Sequence, residues 1–291
     1  MHSTGMGRVI NRIFTFGAKP TDHMMKIAVT SCGDHHILEQ TLNRRLYMER
    51  LLEWPANILA RISFEIHQAT FPNVSNPEYF RKAFKPCASQ RLFYPILLPN
   101  YDSVIHIDSD SIFLQPVNEL WQHFQRMNGS ESVAMAPDNT NPNTSWYKNY
   151  NTGRHRIPTP TLYSLNTGVI LMNLTRMRET DFFGHLEPII GTYGSRINWF
   201  VNDFMSIYLH QFPDRYLNVS CRWNFLTDHC DEGLALCPAA HRLGVGLLHG
   251  SRHTFMSWSR APAFRAVYLA FLDYQFNTDL RLNLVLPLKR N

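Results

Sequence analysis

Apolar and polar positions follow two periods along this chain. Short apolar runs bounded by Gly, Asp or Asn read as strands buried in a sheet. They fall at residues 26–31, 60–69, 103–108, 132–136, 168–172 and 245–249. Between them the period lengthens. Leu38, Leu42, Leu46, Leu51 and Leu52 recur near helical spacing and predict a helix over 35–52. Further helices are predicted from 77–84, over 87–98 with a late interruption at Pro95, and over 199–210 and 262–271. Strands alternating with helices predict an α/β domain on a mainly parallel sheet. Residues 138–161 break the pattern, being rich in Asn, Pro, Thr and Tyr. Two readings of that segment stand side by side, a lid or acceptor-facing loop and a plain mobile connection.

In such sheets ligands sit at the carboxyl ends of strands. The segment Ser103 to Phe113 reads SVIHIDSDSIF, so an apolar strand ends in Asp108, Ser109 and Asp110 before apolar residues resume. Carboxylates two residues apart on a turn can converge on a hard cation such as Mn²⁺ or Mg²⁺. That cation would neutralise a diphosphate. A surface turn with an Asp cap has the same local sequence, so both readings are open. His249 ends the run Gly-Val-Gly-Leu-Leu and precedes Gly250, whose bare backbone permits close approach. It is a candidate third ligand. Lys85 and Arg91 precede the acid pair, and Arg252 and Arg260 follow the histidine. Each suits a phosphate contact or a solvated surface charge.

Composition narrows the class. The chain has 291 residues, 44% of them hydrophobic and 13% aromatic, which fits a folded domain. The net charge of +5 is scattered rather than blocked, which argues against a nucleic-acid stripe. None of the five cysteines forms a CxxC pair, which argues against a zinc site. A short disulfide between Cys230 and Cys237 is one expectation and free buried thiols the other. Sequons at Asn73, Asn128, Asn143, Asn173 and Asn218 tilt towards a secretory lumen. Residues 1–25 hold no apolar run of signal or anchor length, so membrane attachment is expected only through a longer precursor.

Several blocks then fall in a familiar order. They are Phe-Lys-Pro-Cys-Ala-Ser-Gln-Arg-Leu-Phe (84–93), Ile107 to Val117, Ala134 to Pro137, Asn166 to Asn173 and Arg176 to Arg178. Cys221-Arg222-Trp223-Asn224-Phe225, Asp228-His229-Cys230, His249-Gly250-Ser251-Arg252 and Pro262 to Tyr268 follow. Together they resemble glycosyltransferase family 8, most closely its glucoside xylosyltransferase branch. The resemblance covers roughly residues 26–272, leaving 1–25 and 273–291 as tails.

It implies a GT-A fold, with a Rossmann-like, mainly parallel sheet flanked by helices. It implies a retaining transfer of xylose from UDP-xylose to O-linked glucose, in an α-1,3 bond, on EGF-like repeats of a glycoprotein in the ER or Golgi lumen. A family member using UDP-glucose or UDP-galactose, or a module that binds without transferring, is the alternative. The resemblance carries Mn²⁺ (or Mg²⁺) to Asp108, Asp110 and His249. It places the nucleotide-sugar against Thr30, Ser31, Cys32, Gly33, Ser109, Thr167, Gly168 and Gly250, with Lys85, Arg91 and Arg252 as anion contacts. Asn166, Asn202 and Asp203 would orient sugar and acceptor. Where the family pattern has Trp-Gly followed by Asp-Gln-Asp, this chain has Trp199, Phe200, Val201, Asn202 and Asp203. Only the last acid is kept.

Overall fold

The computed structural model describes residues 13–17, 25–31, 55–68, 79–80, 86–141, 143–145, 156–230, 236–259, 261–275 and 278–286, with residues 72, 147 and 288. The helix expected over 35–52, most of 77–84, the centre of the 138–161 loop, and Cys32, Gly33, Lys85 and Arg260 lie outside them.

The described residues build a seven-stranded sheet in the order β3-β2-β1-β4-β7-β6-β8. Its strands are β1 (Ile13–Gly17), β2 (Met25–Ser31), β3 (Ile62–Gln68), β4 (Ser103–Asp108), β6 (Val133–Pro137), β7 (Leu165–Asn173) and β8 (Tyr216–Asn218). β2, β3, β4, β6 and β8 share one direction, while β1 and β7 run against it. The sheet is therefore mixed: five of its seven strands run one way, while four of its six pairings are antiparallel. β1 is the surprise, because residues 13–17 fall in the stretch read as a tail. Its backbone fills the gap between β2 and β4, pairing Phe14 with both Val29 and Ile107. A run of five residues carries too little periodicity to announce that position.

β4 carries apolar residues on both faces, Val104, Ile105 and Ile107, because both faces are covered. Val104 enters one core with Met135, Ile170, Phe204 and Tyr208, while Ile105 and Ile107 enter another with Leu171, Trp223 and Leu247. Successive side chains point to opposite faces, so the run has no polar side to show. The helix expected over 87–98 is broken into Pro86–Gln90, a tight turn Arg91–Phe93, and Tyr94–Leu97. Pro95 opens the last piece, where its missing N–H costs no hydrogen bond.

A second sheet pairs β5 (Ser111–Phe113) with β9 (Leu247–His249). A third apolar cluster holds it in place, combining Leu248, Phe255 and Cys237 with Phe264 from the helix Pro262–Asp273. Among the described residues a disulfide joins Cys221 to Cys237, and Cys230 is free and exposed. This corrects the expected Cys230–Cys237 bridge. Cys221 and Cys237 lie 5.9 Å apart at Cα, within bridging range, whereas Cys230 ends the turn Thr227–Cys230 at the surface.

Candidate active site

Two backbone pairings build the site. β4 ends at Asp108, and the chain turns through Ser109 and Asp110 directly into β5. β5 pairs with β9 so that Ser111 faces His249, and the Gly250 N–H donates to the Asp110 carbonyl at 2.6 Å. This register carries the histidine to the acid pair. His249 Nε2 lies 3.5 Å from Asp110 Oδ1 and 3.8 Å from Asp108 Oδ2. One ligand atom from each of the three residues falls within 4.8 Å of the others. Two carboxylate oxygens and one imidazole nitrogen form a donor set that fits Mn²⁺ or Mg²⁺. The set leaves coordination positions for substrate oxygens.

Asp108 divides its two oxygens. Oδ1 accepts from Arg91 Nη2 at 2.8 Å and lies 3.3 Å from His106 Nε2. Oδ2 faces His249. Burial pushes the Asp108 carboxyl up, but Arg91 and His106 outweigh it and hold the group well below the ordinary carboxylate range. His106 is fully buried, and burial followed by the Arg91 charge pulls it down to about 4. It is therefore neutral at pH 7, with Nδ1 against the Tyr94 hydroxyl at 3.2 Å. Arg91 also donates to the Thr167 carbonyl at 2.6 Å. It joins the acid turn to β7 through buried groups.

A second network supports His249 from behind. Its Nδ1 lies 2.8 Å from Asn224 Oδ1. Asn224 Nδ2 donates to Asn166 Oδ1 at 2.9 Å, and Asn166 Nδ2 donates to Asp138 Oδ1 at 2.9 Å. Gly168 lies against the ring itself. A Cβ there would meet His249 Cε1 at 2.1 Å, so only glycine lets β7 pass the imidazole. A Cβ at Gly250 would instead meet the Phe255 ring at 2.4 Å.

Asn202 and Asp203 turn inward. Asn202 Oδ1 accepts from the Thr167 N–H at 3.0 Å. Asp203 is fully buried, and its Oδ2 accepts from the N–H groups of Asn198 and Trp199 at 2.7 and 2.8 Å. It thereby ties down the entry to the helix Phe200–Gln211. Phe200 has φ of 31°, in the left-handed region that favours glycine. This gives a backbone reason for the glycine of the family pattern. Here the cost is offset by burial of the Phe200 ring against Phe80 and Phe204.

Burial lifts the Asp203 carboxyl to about 6, against the opposing pull of the Trp199 and Asn198 N–H groups. From about pH 4 to 6 the folded protein then keeps a proton that the unfolded chain has lost. Stability is expected to fall as pH rises through that window and to level off above it. The lift corresponds to about 3 kcal/mol. Asp203→Asn should flatten this slope in urea unfolding measured from pH 4 to 7. An unchanged slope would assign the titration to another group.

The other expected residues are placed less closely. Thr30 and Ser31 end β2, and Ser109 is half-buried in the acid turn. Arg252, itself at φ 61°, pairs with Asp228, whose other oxygen accepts from Thr144 Oγ1 at 3.0 Å. This fastens the described start of the 138–161 loop beside the site. His106, Tyr94, Asn224 and Asp138 were not singled out from the sequence as site residues. Asn224 stood inside a quoted block, but nothing local distinguishes a site asparagine from any buried amide.

The mixed sheet whose central strand ends in this acid turn has the GT-A fold of solved glycosyltransferases. The solved mouse xyloside xylosyltransferase 1 shares the fold with a TM-score of 0.52 at 16% identity, over 79% of this chain and 85% of that one. The chain belongs to glycosyl transferase family 8, whose profile matches residues 35–237. It is 34% identical over 294 residues to glucoside xylosyltransferase 1 of Danio rerio, covering 90% of this chain and 71% of the relative. It is also 34% identical over 265 residues to glucoside xylosyltransferase 2 of Mus musculus, where it covers 87% of itself and 58% of the relative.

Proposed function

We propose that this chain is a retaining xylosyltransferase that moves xylose from UDP-xylose to O-linked glucose on EGF-like repeats, forming an α-1,3 bond. The observation that carries a metal-assisted transfer is the convergence of Asp108, Asp110 and His249. The names of the relatives support xylose and a glucoside acceptor. The three residues would hold Mn²⁺ or Mg²⁺, which supplies positive charge to the diphosphate and the departing nucleotide. Arg91 and His106 keep Asp108 ionised and its Oδ2 free to face the cation. The C-terminal end of β2 is read as the nucleoside side. Asn166, Thr167, Gly168, Asn202 and Asp203 are read as shaping the sugar side. Arg252 would reach phosphate by leaving Asp228.

Retention follows from same-face attack. The bond from sugar C1 to the phosphate oxygen breaks, the acceptor hydroxyl oxygen bonds to C1, and its proton passes to the leaving phosphate. The transferring unit is read as residues 26–272, with β1 completing its sheet. A lumenal setting is supported by the Cys221–Cys237 disulfide and by exposed sequon asparagines at 128, 143 and 218. Among the described residues no helix is long and apolar enough to cross a membrane.

The test is UDP release from UDP-xylose, UDP-glucose and UDP-galactose, each with an O-glucosylated EGF-like repeat, with and without Mn²⁺. Turnover of UDP-xylose that needs both Mn²⁺ and acceptor, with an α-linked product by NMR, is the expected result. Turnover of another donor alone would reassign the sugar. UDP binding without turnover of any donor would leave a binding module.

A further inference from the structure

We infer that Asn224 is a positioning residue: it fixes the ring tautomer of His249 that presents a lone pair to the metal, and it ties that ligand to Asn166 on the sugar side. The inference rests on the metal reading of Asp108, Asp110 and His249.

Hydrogen-bond direction fixes the orientation of both amides. The Gly168 backbone N–H is a donor in every state of the protein, and it points at Asn166 Oδ1 at 2.9 Å. That atom of Asn166 is therefore the oxygen. The Asn224 atom facing it sits 2.9 Å from that oxygen and 3.4 Å from the Asn166 carbonyl. Between two acceptors it must be the amide nitrogen. The remaining Asn224 atom is then its oxygen, and it meets His249 Nδ1 at 2.8 Å. An oxygen there requires a hydrogen on Nδ1. In the neutral ring this leaves Nε2 unprotonated, and Nε2 is the atom that faces Asp108 and Asp110. Metal-bound histidines commonly have the second nitrogen fixed in this way.

Three features keep the arrangement from relaxing. Asn224, Asn166 and His249 are buried, so water does not compete for their polar atoms. The His249 ring fills the space that a Cβ on Gly168 would occupy, close against the β7 backbone. The backbone holds both partners in register, since Phe225 N–H donates to Leu247 O and His249 N–H donates to Phe225 O, each at 3.0 Å. The short bridge between Phe225 and Leu248 thus sets Asn224 beside the histidine. The Asn166 link runs on to Asp138, at the start of the 138–161 loop.

Two substitutions separate the two jobs. Asn224→Leu removes both hydrogen bonds. Asn224→Asp keeps an acceptor for His249 Nδ1–H but has no hydrogen to give to Asn166. Three measurements read them: His249 ¹⁵N shifts in metal-free protein at a pH where the ring is neutral, Mn²⁺ affinity by calorimetry, and UDP-xylose turnover. Wild type should show the hydrogen on Nδ1. Asn224→Leu should show a tautomer mixture and Mn²⁺ affinity about 10- to 100-fold weaker. Asn224→Asp should keep the Nδ1–H tautomer and near-native Mn²⁺ affinity while turnover falls.

A hydrogen on Nε2 in wild type would overturn the inference. So would unchanged tautomer and Mn²⁺ affinity in Asn224→Leu. If that variant does not fold, Asn224→Asp carries the test, and loss of the Nδ1–H tautomer there overturns it. Absence of Mn²⁺ binding in wild type with the tautomer as expected would sink the metal reading and leave the positioning of the ring standing.

Discussion

Asp110→Ala is expected to cut xylose transfer about 1,000-fold, the rate equivalent of about 4 kcal/mol of lost charge stabilisation. Asp110 is the better choice of the two acids. Its side chain is 40% exposed, and its recorded ion-pair partner is His249. Asp108 is tied to Arg91 and His106, so removing it would disturb the structure as well as the site. Removing Asp110 relieves repulsion between two converging carboxylates while losing its ion pair with His249, so the metal-free variant should lose less stability than an Asp108 variant. Calorimetric titration should show loss of Mn²⁺ binding alongside loss of turnover. Wild-type Mn²⁺ affinity in Asp110→Ala would remove this residue from the ligand set, whatever happened to the rate.

Arg91→Met is expected to destabilise the fold by about 3 kcal/mol at neutral pH, the lower end of what breaking a buried ion pair costs. The methionine fills much of the same space. It leaves Asp108 without its countercharge and the Thr167 carbonyl without its donor. The pH dependence identifies the cause. Asp108 is held below its ordinary value in the folded protein, so its contribution is present above about pH 4 and lost as pH falls towards the folded value. Wild type and variant should therefore converge in acid. A difference that stays constant down to low pH would mean that Arg91 acts through packing and Thr167 rather than through the carboxylate.

The donor assay, the Asp203 profile and the Asn224 pair probe different parts of the protein's chemistry. Asp203 illustrates why they are kept apart. The family pattern places it among residues that orient sugar and acceptor. The structure shows its carboxylate holding two backbone N–H groups at a helix entrance. A drop in activity in Asp203→Asn alone would not separate those roles, whereas the stability profile does.

The sequence by itself determined the local parts. The strand 103–108 is legible because Val104 to Ile107, buried on both faces, leave a largely apolar run, and its end is legible because Asp108 and Asp110 interrupt it. The helices over 199–210 and 262–271 are legible because one turn of helix repeats within a few residues. The order of the family blocks located His249 as a partner for the acids. Tertiary structure alone decided how these parts meet. The β5–β9 register placed His249 against Asp110, and the Phe225 bridge placed Asn224 behind it. Burial of Cys237 beneath the helix Pro262–Asp273 fixed its bond to Cys221 rather than to Cys230. β1 filled a sheet position that five residues of pattern could not announce. The physical reason is common to all of these. Periodicity records which face of an element leaves water, a local property. Which buried polar atom finds which partner depends on contacts between segments far apart in the chain, and these are settled only when the sheet is assembled.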